Sequence, residues 1–146
     1  MPDRKIMVIE DDLDVAMMLG EHLRHVAPGA DVEVVTSLFD LLLDKNRWVG
    51  VDTAIVDLGL PVIGGRAILR WMEAHVPEVR RIAWSASPFD TYRCDWCEDR
   101  TRCHWAEAGQ RCAVVATEHV YAAIQKPGIH ELTLAIQSPL DPEEYP

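Results

Sequence analysis

Short runs rich in β-branched residues recur along the chain: KIMVIE (5–10), DVEVVTS (31–37), DTAIVD (52–57), RIAWS (81–85) and YAAIQ (121–125). Nearly every position in them is apolar, which is the pattern of strands covered on both faces, not of strands with one face in water. Between them lie stretches of helical periodicity. The first places Ala16, Leu19, Leu23 and Val26 on one face and stops before Pro28-Gly29. A second starts near Ser37, a good N-cap, and uses Leu38, Leu41 and Leu42. A third runs from about Gly65 with Ile68, Trp71 and Met72, and the last spans roughly Ile129 to Gln137. This alternation of strand and helix predicts an α/β protein with a doubly wound, five-stranded parallel sheet. Residues 1–138 form one domain, and residues 139–146 form an acidic C-terminal tail.

Composition narrows the function. With 146 residues, 49% of them hydrophobic, the chain can bury one good core. Its formal charge of −10 repels a phosphate backbone, which argues against direct nucleic-acid binding. The N-terminus MPDRKIMVIEDD carries charge where a secretory signal needs an apolar core, and no apolar run reaches the ~20 residues that span a bilayer. A cytoplasmic protein with no membrane association is the expectation. After Lys126 the sequence given has 20 residues, room for one helix and the acidic tail.

In an open α/β sheet, ligands bind beyond the carboxyl ends of the strands. The residues at those ends here are Glu10, Asp11 and Asp12, then Asp57, Ser85 and Lys126. Carboxylates gathered at one edge repel one another unless a cation sits among them, and hard oxygen ligands suit Mg²⁺. A lysine and a hydroxyl beside them complete a site for a phosphoryl group. The histidines His22, His25, His75, His119 and His130 show no ligand spacing and are expected at the surface or in interfaces, and Trp71 is expected in the core.

The segments IMVIEDD, AIVDLGLPVIGG, IAWSAS and IQKPG, in that order and each at a strand end, resemble the receiver domain of two-component response regulators. The resemblance covers nearly the whole chain apart from the cysteine-containing stretch and the tail. It implies a flavodoxin-like sheet of order 2-1-3-4-5, with Asp57 as phosphoacceptor, followed by Leu58, Pro61 and Gly65 in the family pattern. Glu10 and Asp11 match the acidic pair. Asp11 is then the direct Mg²⁺ ligand, with Asp12 next in line under a one-residue shift of register. The backbone carbonyl of Gly59 is another implied ligand, Ser85 the switch hydroxyl and Lys126 the lysine that binds the acyl phosphate. The implied partners are a histidine kinase or phosphotransfer protein upstream and a protein target downstream. A homodimer through the fourth and fifth strands is also implied, as is a cis bond between Lys126 and Pro127. On this reading the chain is no enzyme beyond gaining and losing its own phosphoryl group.

One position departs from the pattern. The family has an aromatic residue three places before the lysine, where this chain has Ala123; Tyr121, two residues earlier, is expected on the same face and able to substitute. Two other strand-end aspartate chemistries fit poorly. A phosphatase of the haloacid-dehalogenase kind wants a second acid where this chain has Gly59, and a dinucleotide-binding domain wants a glycine-rich turn where it has EDDLDV.

All the cysteines, Cys94, Cys97, Cys103 and Cys112, fall between the fourth and fifth strands, with His104 as a spare ligand. An insertion at about 88–112, before a crossover helix over 113–119, would hold them. A reducing compartment disfavours disulfides, and Cys94-x2-Cys97 has the spacing that lets two thiolates grip one metal. Four thiolates converging on zinc are the expectation, with an iron–sulfur cluster as the alternative. The competing function is therefore a metal-binding or redox-sensing interaction module on a receiver scaffold.

Overall fold

Lys5–Ile9 form β1, whose last four residues are buried. Burial of both strand faces explains why the run needs no polar alternation. The computed structural model describes residues 4–37, 44–60, 64–86, 120–138 and 140. After β1 come α1 (Leu13–Val26), β2 (Asp31–Val35), a 3₁₀ turn (Lys45–Trp48), β3 (Thr53–Asp57), α2 (Gly65–His75), β4 (Arg80–Ser85), β5 (Ala122–Gln125) and α3 (Ile129–Gln137). The five strands pair in parallel in the order β2-β1-β3-β4-β5. Both the sheet and its order are those expected from the strand pattern and the family resemblance.

Alternation along β1 shows how the two faces are filled. Met7 and Ile9 join Ala54, Val56 and Ala83 beneath Ile68, Leu69 and Met72 of α2. Ile6 and Val8 join Ile55, Ile82, Trp84 and Ile124 against Leu19 and Leu23 of α1 and Leu132 and Ile136 of α3. Helices therefore cover both faces, as a doubly wound sheet requires. No described helix is long and apolar enough to cross a membrane.

The helix boundaries have local causes. Asp12 caps α1, its carboxylate accepting from the backbone N–H of Asp14 and Val15. Ala27 ends the helix before Pro28, and Gly29 turns at φ +90°. The predicted helix beginning at Ser37 and the crossover helix at 113–119 lie outside the described residues. The 3₁₀ turn has no counterpart in the periodicity. Asp44 caps it through Asn46 N–H, and it buries Trp48, whose ring lies 5.7 Å from that of Trp71. Trp71 itself packs against the core from a partly buried position and stacks on His75, with ring centroids 4.7 Å apart.

β4 starts one residue earlier than its apolar pattern suggests and buries two arginines. Arg80 donates to the carbonyls of Ala135 and Ser138 at the end of α3, and its guanidinium lies 3.9 Å from the centre of the Tyr121 ring. Arg81 donates to Pro77 O and Val79 O. Arg4, just before β1, reaches Ile136 O and also binds Asp52 and Thr53. The C-terminal end of α3, where orphan carbonyls concentrate negative potential, is thus closed by two cations.

Candidate functional site

Parallel register sets the site. Ile9 pairs with Val56, so the residue after β1, Glu10, comes level with Asp57 at the end of β3. Asp57 pairs with Trp84, and Ser85 with Gln125, which puts Lys126 immediately beyond β5 on the same edge. Two backbone bonds extend the pairing past the strands, Leu58 N–H to Trp84 O at 3.0 Å and Lys126 N–H to Ser85 O at 2.7 Å.

The side chains converge there. Glu10 is 2% exposed and Asp57 4%, whereas Asp11 is exposed. One carboxylate oxygen from each of the three lies within 4.8 Å of the others. The Lys126 ammonium lies beside two of them, 2.5 Å from Glu10 Oε2 and 3.3 Å from Asp57 Oδ1. Asp57 Oδ1 also accepts from Gly59 N–H at 2.9 Å, and Glu10 Oε1 from Asp12 N–H at 3.2 Å. Burial raises the Glu10 carboxyl above its ordinary range and the nearby Asp57 charge adds to this, against the lowering effect of the Lys126 hydrogen bond. For Lys126, burial alone would lower the ammonium's pKa. Its hydrogen bond to Glu10 and the charges of Asp57 and Glu10 outweigh burial and hold it above the ordinary lysine value.

Three carboxylates facing one ammonium leave the cluster short of positive charge. That donor set, all hard oxygens on one partly open edge, fits Mg²⁺. Glu10, Asp11 and Asp57 are the residues that would hold it.

Glu10, Asp11, Asp57 and Lys126 come together. Asp12 does not compete with Asp11, because its carboxylate is committed to capping α1. Ser85 ends β4 on the same edge, 2% exposed, with its carbonyl holding Lys126 N–H. The Lys126–Pro127 bond is cis, as expected.

Tyr121 is a correction. It precedes β5 instead of lying within it, and it packs with the α1 and α3 side of the sheet, whereas Ala123 packs with the α2 side. The ring is held under Arg80 and does not stand in for an aromatic at 123. Pro61, Cys94, Cys97, Cys103, Cys112, His104 and His119 lie outside the described residues.

Gly65 was expected at the start of α2, and the structure adds the physical reason; Trp84 escaped the sequence reading. Gly65 opens α2 so close to β3 that a Cβ there would lie 2.2 Å from Asp57 O. Trp84 sends Nε1–H to Pro127 O at 3.1 Å and puts its ring 4.7 Å from Lys126 Nζ. Nothing local marked Trp84, since a tryptophan in an apolar strand reads as core.

No protein-family model matches the chain, and no curated protein does. Solved structures do. The receiver domain of a DNA-binding response regulator protein (merR) from Colwellia psychrerythraea 34H superposes with a TM-score of 0.68 at 20% identity, covering 92% of this chain and 96% of that one. The response regulator DrrB of Thermotoga maritima, described as an OmpR/PhoB homolog, gives a TM-score of 0.66 at 18% identity. This chain spans about half of DrrB's length, 51%, with 92% of its own length matched. The BeF3-activated DrrB receiver domain alone gives 0.64 at 18% identity, covering 92% and 95%. With its sheet order and these neighbours together, the chain has the fold of a response-regulator receiver domain.

Proposed function

We propose that this chain accepts a phosphoryl group on Asp57 from a histidine kinase or phosphotransfer protein and passes the signal on by contact with a downstream protein. The observation that carries the reading is the acidic trio at the C-terminal sheet edge with the Lys126 ammonium 3.3 Å from Asp57 Oδ1. Oδ1 already holds Gly59 N–H and Lys126, so Oδ2 is assigned as the attacking oxygen. It forms a bond to phosphorus as the phosphohistidine N–P bond breaks, and the imidazole leaves with the electron pair. The product is an acyl phosphate. Bound Mg²⁺, held by Glu10, Asp11, Asp57 and the Gly59 carbonyl, would neutralise charge on the transferred group. Lys126 pairs with a phosphoryl oxygen, and Ser85, on the adjacent strand end, is assigned the hydroxyl contact that shifts β4 and β5.

Incubation with acetyl phosphate and Mg²⁺, followed by intact-mass analysis, tests the reading directly. Wild type is expected to gain one phosphoryl group, lost on treatment with hydroxylamine. Asp57→Asn should gain none while melting within a few degrees of wild type. A folded wild type that neither takes the label nor binds beryllofluoride would remove the proposal.

The cysteine spacing supports a further component of the same reading. Cys94, Cys97, Cys103 and Cys112 are proposed to hold zinc, or alternatively an iron–sulfur cluster. Metal content and the visible spectrum of protein purified without oxygen decide it, and a metal-free, colourless, folded preparation ends it.

A further inference from the structure

The Lys126 side chain is long, and holding its ammonium at one place between two carboxylates costs rotamer freedom that something must offset. Its side chain is 18% exposed, so burial does not immobilise it on its own. Glu10 and Asp57 attract it from one side. On another side lies the face of Trp84, whose ring centroid is 4.7 Å from Nζ, within the range at which an ammonium is drawn to an indole.

The indole is itself held on every side. Trp84 is 1% exposed, in the middle of three strands, paired with Asp57 on β3 and Ile124 on β5. Its carbonyl accepts from Leu58 N–H, and its side chain belongs to the same buried cluster as Val8, Ile55, Ile124 and Leu132. The one polar atom of the ring, Nε1–H, donates to Pro127 O at 3.1 Å, the residue directly after the lysine. One rigid side chain therefore fixes both the backbone that carries Lys126 and the ammonium at the other end of it.

We infer that Trp84 is the positioning residue of this site, holding Lys126 toward Asp57 through the Nε1–H bond to Pro127 O and through the ring face against Nζ. This rests on the phosphoacceptor reading only for its consequence; the placement of the lysine can be measured without it.

The test compares Trp84→Leu with Trp84→Phe, which keeps a ring face but loses the donor, in the full chain. Beryllofluoride binding in the presence of Mg²⁺ reads the consequence, Mg²⁺ affinity alone controls for collapse of the edge, and acylation of Lys126 by an amine-reactive ester, quantified by mass spectrometry against Lys5, reads the placement. For Trp84→Leu, beryllofluoride affinity should fall about tenfold and Lys126 acylation rise several-fold, with Mg²⁺ affinity kept within about twofold. Trp84→Phe should recover part of both. Wild-type values for both readouts in a folded Leu variant overturn the inference, and so does a loss of Mg²⁺ binding in parallel with beryllofluoride. If the Leu variant does not fold, Trp84→Phe decides, with about threefold effects in the same directions expected and parity with wild type overturning it. If wild type binds no beryllofluoride, the phosphoacceptor reading falls while Lys126 acylation still decides the role of Trp84.

Discussion

Asp11 and Asp12 are chemically identical neighbours with different tasks. Asp12 accepts from two backbone N–H groups at the start of α1, and Asp11 contributes an oxygen to the acidic trio. Replacing an N-cap aspartate with alanine costs about 1 kcal/mol, because helix donors lose their acceptor. Asp12→Ala should therefore lower stability by about that amount and leave Mg²⁺ affinity nearly unchanged. Asp11→Ala should do the reverse, weakening Mg²⁺ binding at least about tenfold with little loss of stability, since an exposed carboxylate repelled by its neighbours contributes nothing to folding. Urea unfolding and calorimetric titration of the two variants check this. Equal Mg²⁺ affinities would mean that the metal is read from the wrong carboxylate.

At the scale of elements, the contact between β3 and α2 governs where Asp57 sits. A Cβ on Gly65 would meet Asp57 O at 2.2 Å and Leu58 Cα at 2.6 Å, both backbone atoms that cannot swing aside. Gly65→Ala must push the start of α2 away from the sheet or distort the turn after Asp57. A destabilisation of about 2–3 kcal/mol is expected, with a loss of acetyl phosphate labelling larger than stability alone explains. If Gly65→Ala unfolds at the same urea concentration as wild type, α2 is not packed against β3 as described.

Over the whole molecule, charge is unevenly spread. Acids gather at the C-terminal edge of the sheet, while Arg4 and Arg80 close the end of α3. The formal charge of −10 makes the folded chain repel itself, and added salt screens that repulsion within a Debye length of about 10 Å at 0.1 M. The described ion pairs are screened as well, but acids outnumber bases by 24 to 14, so the net effect of salt is stabilising. The melting temperature should rise by a few degrees between low and moderate sodium chloride. Mg²⁺ at matched ionic strength should add a further rise that Asp11→Ala removes. A melting temperature that falls with sodium chloride would show that the pairs outweigh the repulsion.

The strands, the helices flanking them and the acidic strand ends were legible in the sequence because each depends on neighbours a few residues away: β-branched runs for β1 to β5, an apolar face for α1, carboxylates directly after an apolar run for Glu10 and Asp57. Other features depend on register between strands far apart in the chain, a property no local pattern carries. Glu10 meets Lys126 across 116 residues, and Trp84 reaches Pro127 across 43, because β1, β3, β4 and β5 align at their carboxyl ends. Local patterns also left edges open. The periodicity allowed Tyr121 to share a face with Ala123, but β5 begins at Ala122, and Arg80 draws the ring to the other side. Asp11 and Asp12 were separable only once α1 had a first residue, since the helix start decides which carboxylate faces its own backbone and which faces the site.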